Sequence, residues 1–314
     1  MTAELTRRTW LAAASGGLAI GLASAAAEEK KERKPDEPFR YGLNTATLMG
    51  QKLSIVEEVE IASRAGYQAI EPWVRELDQY VKGGGSLKDL GKRIADRGLR
   101  VESAIDFPEW IVNDDAKREK GLENARRGMD RVKQIGGTRI AAPPAGATQR
   151  ADIPLLTIAQ RYRALLDIGA QIGVVPQIEV WGFSKTLTRL SEAVFVAIES
   201  GHKEACILAD VYHLYKGGSG FAGVNLLAGS AMHVLHMNDY PADPPRETIA
   251  DKNRIYPGEG AAPLKAFLRD LRRIGFRGVL SLELFNQEYW SRDALTVART
   301  GLEKMRAVVA NSLE

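Results

Sequence analysis

Cysteine is almost absent from this chain. Cys206 stands alone, so no intramolecular disulfide can form and no thiolate-rich metal site can be assembled. Within the apolar stretch ACILA it reads as a small core residue. Histidine is nearly as scarce, with four in 314 residues. An excess of one charge is also missing: 43 basic residues face 40 acidic ones, for a net +3, without the one-sided surplus of a polyanion-binding surface. Nucleic acid is thereby excluded as an expected partner. No apolar run is followed by G-x-G-x-x-G, and Gly83-Gly84-Gly85 comes after a helix-like segment, which removes a dinucleotide site.

The most nearly continuous apolar stretch lies in the first 27 residues, and it is short and rich in Ala and Gly. It opens on Thr6-Arg7-Arg8-Thr9-Trp10-Leu11, ends on Ala25-Ala26-Ala27, and is followed by the charged run 28–37. Paired arginines ahead of an apolar segment with an A-x-A end resemble a twin-arginine export signal. The expected organisation is therefore a signal over 1–27, a charged linker over 28–38 and one domain over 39–314. The mature protein is then expected to be soluble and exported, periplasmic or otherwise extracytoplasmic, with no stable membrane insertion after cleavage. A retained amino-terminal anchor is the other reading of the same residues.

Past the linker, eight short apolar runs recur at 41–45, 69–71, 100–105, 138–142, 174–180, 205–210, 232–237 and 278–284. Their mean spacing is about 34 residues, enough for one strand, one helix and two loops. Helical periodicity fills most intervals, as in Ile55, Val56, Val59, Ala62 and in Leu264, Phe267, Leu268, Leu271, Ile274. Gly66, Gly98, Gly136, Gly173, Gly201 and Gly275 each stand between a helical stretch and the next apolar run, where a left-handed helix terminator is wanted. Repeated helix, glycine and strand predict a parallel α/β architecture. Eight units close into a (β/α)8 TIM barrel, a single domain whose functional groups sit at the carboxyl ends of the strands.

Four such ends carry metal-type side chains: Glu179, Asp210, His236 and Glu283. A charged group where a buried strand gives way to a loop is unfavourable unless compensated, and one shared divalent cation would compensate all four. Three carboxylates and an imidazole suit Mn, Mg or Co better than a structural zinc bound by thiolates. Manganese is the expected ion, with Mg, Co or Zn as alternatives. His233 and His236 are three apart and face opposite sides of one strand; His236, nearer the end and sharing a face with Asn238, is the expected ligand and His233 a packed residue. His202 reads as exposed or capping. His213, just past its strand, reads as a contact to a substrate oxygen or as a loop histidine. Trp73, Trp110 and Trp181 follow strands and are candidate platforms for sugar C–H faces, or else packing residues.

The ordered set Glu, Asp-x-x-His, His, Glu on the last four strands resembles the xylose isomerase-like barrels, in the sugar epimerase and isomerase branch, over roughly residues 40–310. The resemblance implies that Glu179, Asp210, His236 and Glu283 ligate the metal and that Glu179 and Glu283 also act as an acid/base pair. It implies that His213 bonds a sugar oxygen and that Arg254, ahead of Pro257-Gly258-Glu259-Gly260, contacts substrate. Where epimerases of this branch often carry a second glutamate, this chain has Trp181-Gly182-Phe183-Ser184-Lys185. Lys185 is accordingly either a contact to an anionic or keto substrate or a surface residue. The expected function is a metal-dependent sugar isomerase or epimerase working through an enediolate on a small sugar or keto-sugar, possible as a homo-oligomer. Alternatives are a lyase acting on 3-keto-glycosides or keto-inositols and a non-catalytic carbohydrate-binding barrel. The related several-zinc endonuclease barrel needs more histidines than the four present.

Overall fold

Each of the eight apolar runs contains a strand. The computed structural model describes residues 37–314, so the expected signal over 1–27 and nearly all of the linker lie outside the described residues. The strands are β1 (Arg40–Asn44), β2 (Ala69–Glu71), β3 (Arg100–Val101), β4 (Arg139–Ala142), β5 (Val175–Glu179), β6 (Ile207–Asp210), β7 (Met232–Met237) and β8 (Val279–Leu282). Between and after them run α1 (Ile55–Ala65), α2 (Val74–Lys82), α3 (Leu87–Asp96), α4 (Asp115–Gln134), α5 (Leu155–Ile172), α6 (Leu190–Glu199), α7 (Val211–Lys216), α8 (Leu264–Arg273), α9 (Gln287–Trp290) and α10 (Ala294–Leu313). Among the described residues no helix is long and apolar enough to cross a membrane.

All ladders are parallel and the strand order is β3-β2-β1-β8-β7-β6-β5-β4. The Ala141 N–H donates to the Ala104 carbonyl at 2.8 Å, bridging the two outermost strands and completing a TIM barrel. The run at 100–105 is paired as a strand over only two residues. Its partner β2 runs into Pro72, which has no N–H to donate, and pairing resumes beyond it between Trp73 and Ile105.

Alternation along the strands separates two cores. Ile70, Ile178, Leu235 and Leu280 point outward into the layer shared with the helices, whereas Ala69, Ala141, Leu208, Val234 and Val279 fill the barrel interior. Gly42 belongs to the interior layer, where a Cβ would lie 2.8 Å from Val279 Cγ1. One step further along each strand the interior residue turns polar: Asn44, Glu71, Glu179, Asp210 and His236, and Glu283 just past β8.

The helices follow the expected pattern. Leu264, Phe267, Leu268 and Leu271 form the buried stripe of α8, each worth about 1.5–3 kcal/mol of transfer free energy when fully covered. Ser54 caps α1 through a reciprocal box with Glu57. The six glycines predicted to end helices all have positive φ, between 59° and 97°. Cys206 is buried, and burial pushes its thiol up to about 12.

The long loop after β7 is held by one side chain. Asp239 Oδ1 accepts the N–H groups of Tyr240 and Ala262 at 2.8 and 2.9 Å, and Oδ2 accepts those of Gly258 and Gly260 at 2.9 and 3.1 Å. Its backbone pairs antiparallel with Ile255, so Arg254 is delivered to the barrel mouth from a fixed loop. Asp239→Ala strands four backbone donors beside a carboxylate-shaped void. It should lower stability by about 2–4 kcal/mol, read as a fall in denaturant midpoint, and an unchanged midpoint would remove the clamp from this account.

Candidate functional site

Strand length and strand parity together bring the predicted residues to one place. Glu179 ends β5, Asp210 ends β6, His236 is the fifth residue of β7, and Glu283 follows β8 directly. His236 Nδ1 lies 3.2 Å from Glu283 Oε2, 3.7 Å from Asp210 Oδ2 and 3.8 Å from Glu179 Oε1. One donor atom each from Asp210, His236 and Glu283 falls within 4.8 Å of the others, and all four residues are buried. Asp210 has a second task as the cap of α7, accepting the His213 N–H at 2.8 Å. This cap explains the Asp-x-x-His spacing, because it starts the turn that brings His213 over the site.

Arg254 is the residue that joins these groups. Its Nη1 donates to Asp210 Oδ2 and to Glu283 Oε2, both at 2.8 Å, and its Nη2 donates to Asp251 Oδ1 at 2.5 Å and to His213 Nε2 at 3.1 Å. The guanidinium also stacks over Tyr212 and Phe285. Because arginine only donates, His213 Nε2 must accept and its proton sits on Nδ1, a buried donor without a partner among the described residues. Burial, first, and the nearby Arg254 push the His213 pKa down to about 4.

Glu71 is a member of the site that the sequence reading passed over. Its Oε2 accepts from His236 Nε2 at 3.1 Å, Ser281 Oγ at 2.7 Å and Asn44 Nδ2 at 3.0 Å. Asn44 Nδ2 also reaches Glu283 Oε1 at 3.0 Å, and Asn238 Nδ2 donates to Asp210 Oδ2 at 3.0 Å. The signal was present: the second apolar run ends Ala-Ile-Glu, and the fifth contains Gln-Ile-Glu next to its end. At three residues, the run was too short to reveal on its own which face its glutamate takes. With Glu71 accepting at Nε2, His236 turns Nδ1 toward Glu179, Asp210 and Glu283.

Electrostatically the glutamates differ. Burial, then the negative neighbours Glu283 and Asp210, push Glu179 up to about 8, despite the opposing effect of His236. Burial also raises Glu283, but His236 and Arg254 outweigh it and hold that carboxyl below its ordinary range. Burial opposes a charged His236, yet Glu283 and Glu71 win and keep its pKa well above the usual histidine value. Four fully buried carboxylates, counting Glu71, thus face one permanent cation, Arg254. His236 Nδ1 and Glu179 Oε2 are buried without hydrogen-bond partners among the described residues. Oxygen and imidazole donors, orphaned atoms and surplus negative charge fit a divalent cation.

Two readings left open by the sequence are narrowed by the packing. Trp110 is fully buried, donates its indole N–H to the Pro143 carbonyl and packs on Tyr162, so it is a core residue and not a sugar platform. Lys185 is exposed, and its ammonium makes no hydrogen bond or ion pair with the described residues; the surface reading holds, because the turn after Trp181 points it to solvent. Trp73 and Trp181 do line the mouth: Trp73 donates to Asn44 Oδ1 at 3.0 Å, and the Trp181 ring is 6.5 Å from that of His213. His233 is half-buried on the outer face of β7, as parity required, and His202 accepts the Glu204 N–H near the end of α6.

Fold and site together define a (β/α)8 barrel with a buried carboxylate and imidazole cluster at its carboxyl-terminal mouth. The chain belongs to the xylose isomerase-like TIM barrel family, whose model matches residues 59–308. It is similar to an inosose isomerase of Bacillus velezensis, 26% identical over 275 residues, covering 85% of this chain and 96% of that protein. It is also similar to a 3-dehydroshikimate dehydratase of Pseudomonas aeruginosa, 24% identical, covering 85% of this chain and 41% of that one. Among solved structures, the fold matches a crystal structure of the IOLI protein with a zinc atom, with a TM-score of 0.81 at 23% identity, covering 87% of this chain and 99% of that chain.

His213 offers a direct check on the geometry. Its folded pKa of about 4 lies below the ordinary 6.5, so the neutral ring is favoured in the fold. Its contribution to stability is present at neutral pH and is lost as pH falls from about 6.5 toward 4, where the unfolded chain takes up a proton first. Proton–nitrogen correlation NMR at pH 6 should find it neutral with hydrogen on Nδ1; an imidazolium there would contradict the Arg254 contact.

Proposed function

We propose that this protein is a divalent-metal-dependent sugar isomerase or epimerase that moves a proton between Glu179 and Glu283 through an enediolate of a small keto-sugar. The observation that carries the reading is the convergence of Glu179, Asp210 and Glu283 on the His236 ring, each with a carboxylate oxygen 3.2–3.8 Å from Nδ1, the two glutamates arriving from different strands. Glu283, held ionised, is suited to take a proton from the carbon beside the carbonyl. Glu179, at the end of a different strand, is suited to return one. Return to the same carbon from the other face gives an epimer, and return to the neighbouring carbon gives an isomer.

Glu179, Asp210, His236 and Glu283 would hold the metal, with manganese the expected ion and Mg, Co or Zn the alternatives; when bound, it withdraws electron density from the substrate oxygens and acidifies the neighbouring C–H. Glu71 fixes the His236 ring. His213 Nδ1–H and Arg254 Nε–H, both without a partner among the described residues, are the donors left for sugar oxygens, and Trp73 and Trp181 supply apolar faces beside them. The inosose isomerase relative supports a sugar-directed proton transfer. A lyase remains the second reading, because the dehydratase relative shows that a similar chain is associated with elimination, and the same enediolate expels a substituent one carbon further along.

Two substitutions test the roles separately. Glu283→Gln should leave the circular dichroism spectrum unchanged and reduce solvent-deuterium incorporation into a keto-sugar by about 10²–10⁴-fold; full incorporation would remove Glu283 as the base. Glu71→Gln should weaken manganese binding in a calorimetric titration by about 10–100-fold. Wild-type affinity in that variant would deny Glu71 its hold on His236.

A further inference from the structure

We propose that the barrel mouth carries an aromatic subsite for a planar apolar substituent, so that the substrate is a keto-sugar bearing such a group, for example an aryl glycoside, and not a bare monosaccharide. The inference rests on the sugar-directed reading above and extends it to the part of the substrate that does not react.

A continuous arc of rings borders the carboxylate cluster. Phe285 lies 6.2 Å from Trp73, Trp73 lies 5.0 Å from Phe107, Phe107 lies 5.8 Å from Trp181, and Trp181 lies 5.1 Å from Phe183, which reaches the His213 ring at 5.6 Å. The rings come from segments following β8, β2, β3 and β5, so no single stretch of sequence produces the arc by accident of local packing. Both ends are tied to the site. Arg254 stacks on Phe285, and Trp73 donates to Asn44, whose amide bonds Glu71 and Glu283. At the other end, His213 accepts from Arg254.

The inner and outer rings are in different situations. Trp73 is buried, and the Arg75 guanidinium covers it at 4.2 Å from the ring centroid. Phe107 and Phe183 are 39% and 43% exposed, although each is in ring contact with a residue at the site's edge. Leaving two phenyl groups in water forfeits burial free energy that the core could have used, and the loss is recovered only when an apolar surface covers them. A sugar lying beside Trp73 and Trp181, with its oxygens on His213 and Arg254, projects its substituent one ring further out, onto Phe107 and Phe183. Aromatic rings favour offset or tilted contacts with centroids about 4.5–7 Å apart, the spacing already present along this arc, so a planar substituent can join it by the same contacts. A free keto-sugar would leave both outer rings uncovered.

The test uses the manganese-loaded full chain and two probes, the methyl and phenyl 3-keto-β-glucosides, measured by calorimetric binding and by deuterium incorporation in heavy water. The phenyl form should bind about tenfold more tightly than the methyl form. In Phe107→Ala/Phe183→Ala the ratio should fall below about threefold, with the melting temperature confirming a folded variant. Equal binding of the two probes by the wild-type chain, binding of neither, or a preference that survives the double substitution would overturn the subsite. So would a double variant whose sedimentation changes from oligomer to monomer with the ligand preference intact, since the rings would then face a second copy. The two readings fail separately: a phenyl preference without deuterium incorporation by either probe sinks the proton-transfer function and keeps the subsite, whereas equal incorporation without preference does the reverse.

Discussion

Four carboxylates buried around one imidazole set the terms for everything else at this barrel mouth. Glu71, Glu179, Asp210 and Glu283 have exchanged water for each other's company, and a single permanent cation, Arg254, directly answers two of them, Asp210 and Glu283. Such a cluster persists only where the backbone dictates its position, because the side chains would otherwise separate or take up protons. A closed ring of parallel strands supplies that rigidity. Neighbouring ladders fix the height of each strand end, and parity fixes which residue faces inward. The raised Glu179 and the lowered Glu283 follow from burial in this enforced proximity, with His236 and Arg254 deciding the direction for Glu283.

The loop beyond β7 shows how a mobile type of element is made rigid where the site needs it. Arg254 lies more than a dozen residues past the last ladder residue of its strand, yet it is as buried as the barrel core. The four backbone bonds to Asp239 and the pairing of Asp239 with Ile255 convert that loop into a bracket. The guanidinium then binds both strand-end carboxylates and dictates the tautomer of His213. A single loop aspartate thus governs, at two removes, which nitrogen of a histidine offers a proton to the cavity.

Similar chains carry different names, among them an isomerase and a dehydratase. Around the cluster of this chain lie the aromatic arc and the turn that places Lys185 in solvent. Variation of that kind falls in the loops following the strands, the part of a barrel free to change without disturbing the ladders.

Much of this was legible along the chain. The recurrence of apolar runs, the glycines before them and the alternation within them carry the barrel, because strand, helix and turn obey local rules with fixed periods. The same rules placed Glu179, Asp210, His236 and Glu283 at strand ends and turned His233 away. What they did not reach was anything set by contacts between strands far apart in sequence. Glu71 meets His236 across 165 residues and Asn44 meets Glu283 across 239, and no local pattern encodes such a meeting. Trp110 and Trp181 look alike in sequence, each an aromatic after a strand, and only the packing of the barrel buried one against Tyr162 and left the other at the mouth. The sequence by itself determined which residues face inward, since that depends on a two-residue period; closure of the barrel decided which of them touch, since that depends on the stagger of eight strands at once.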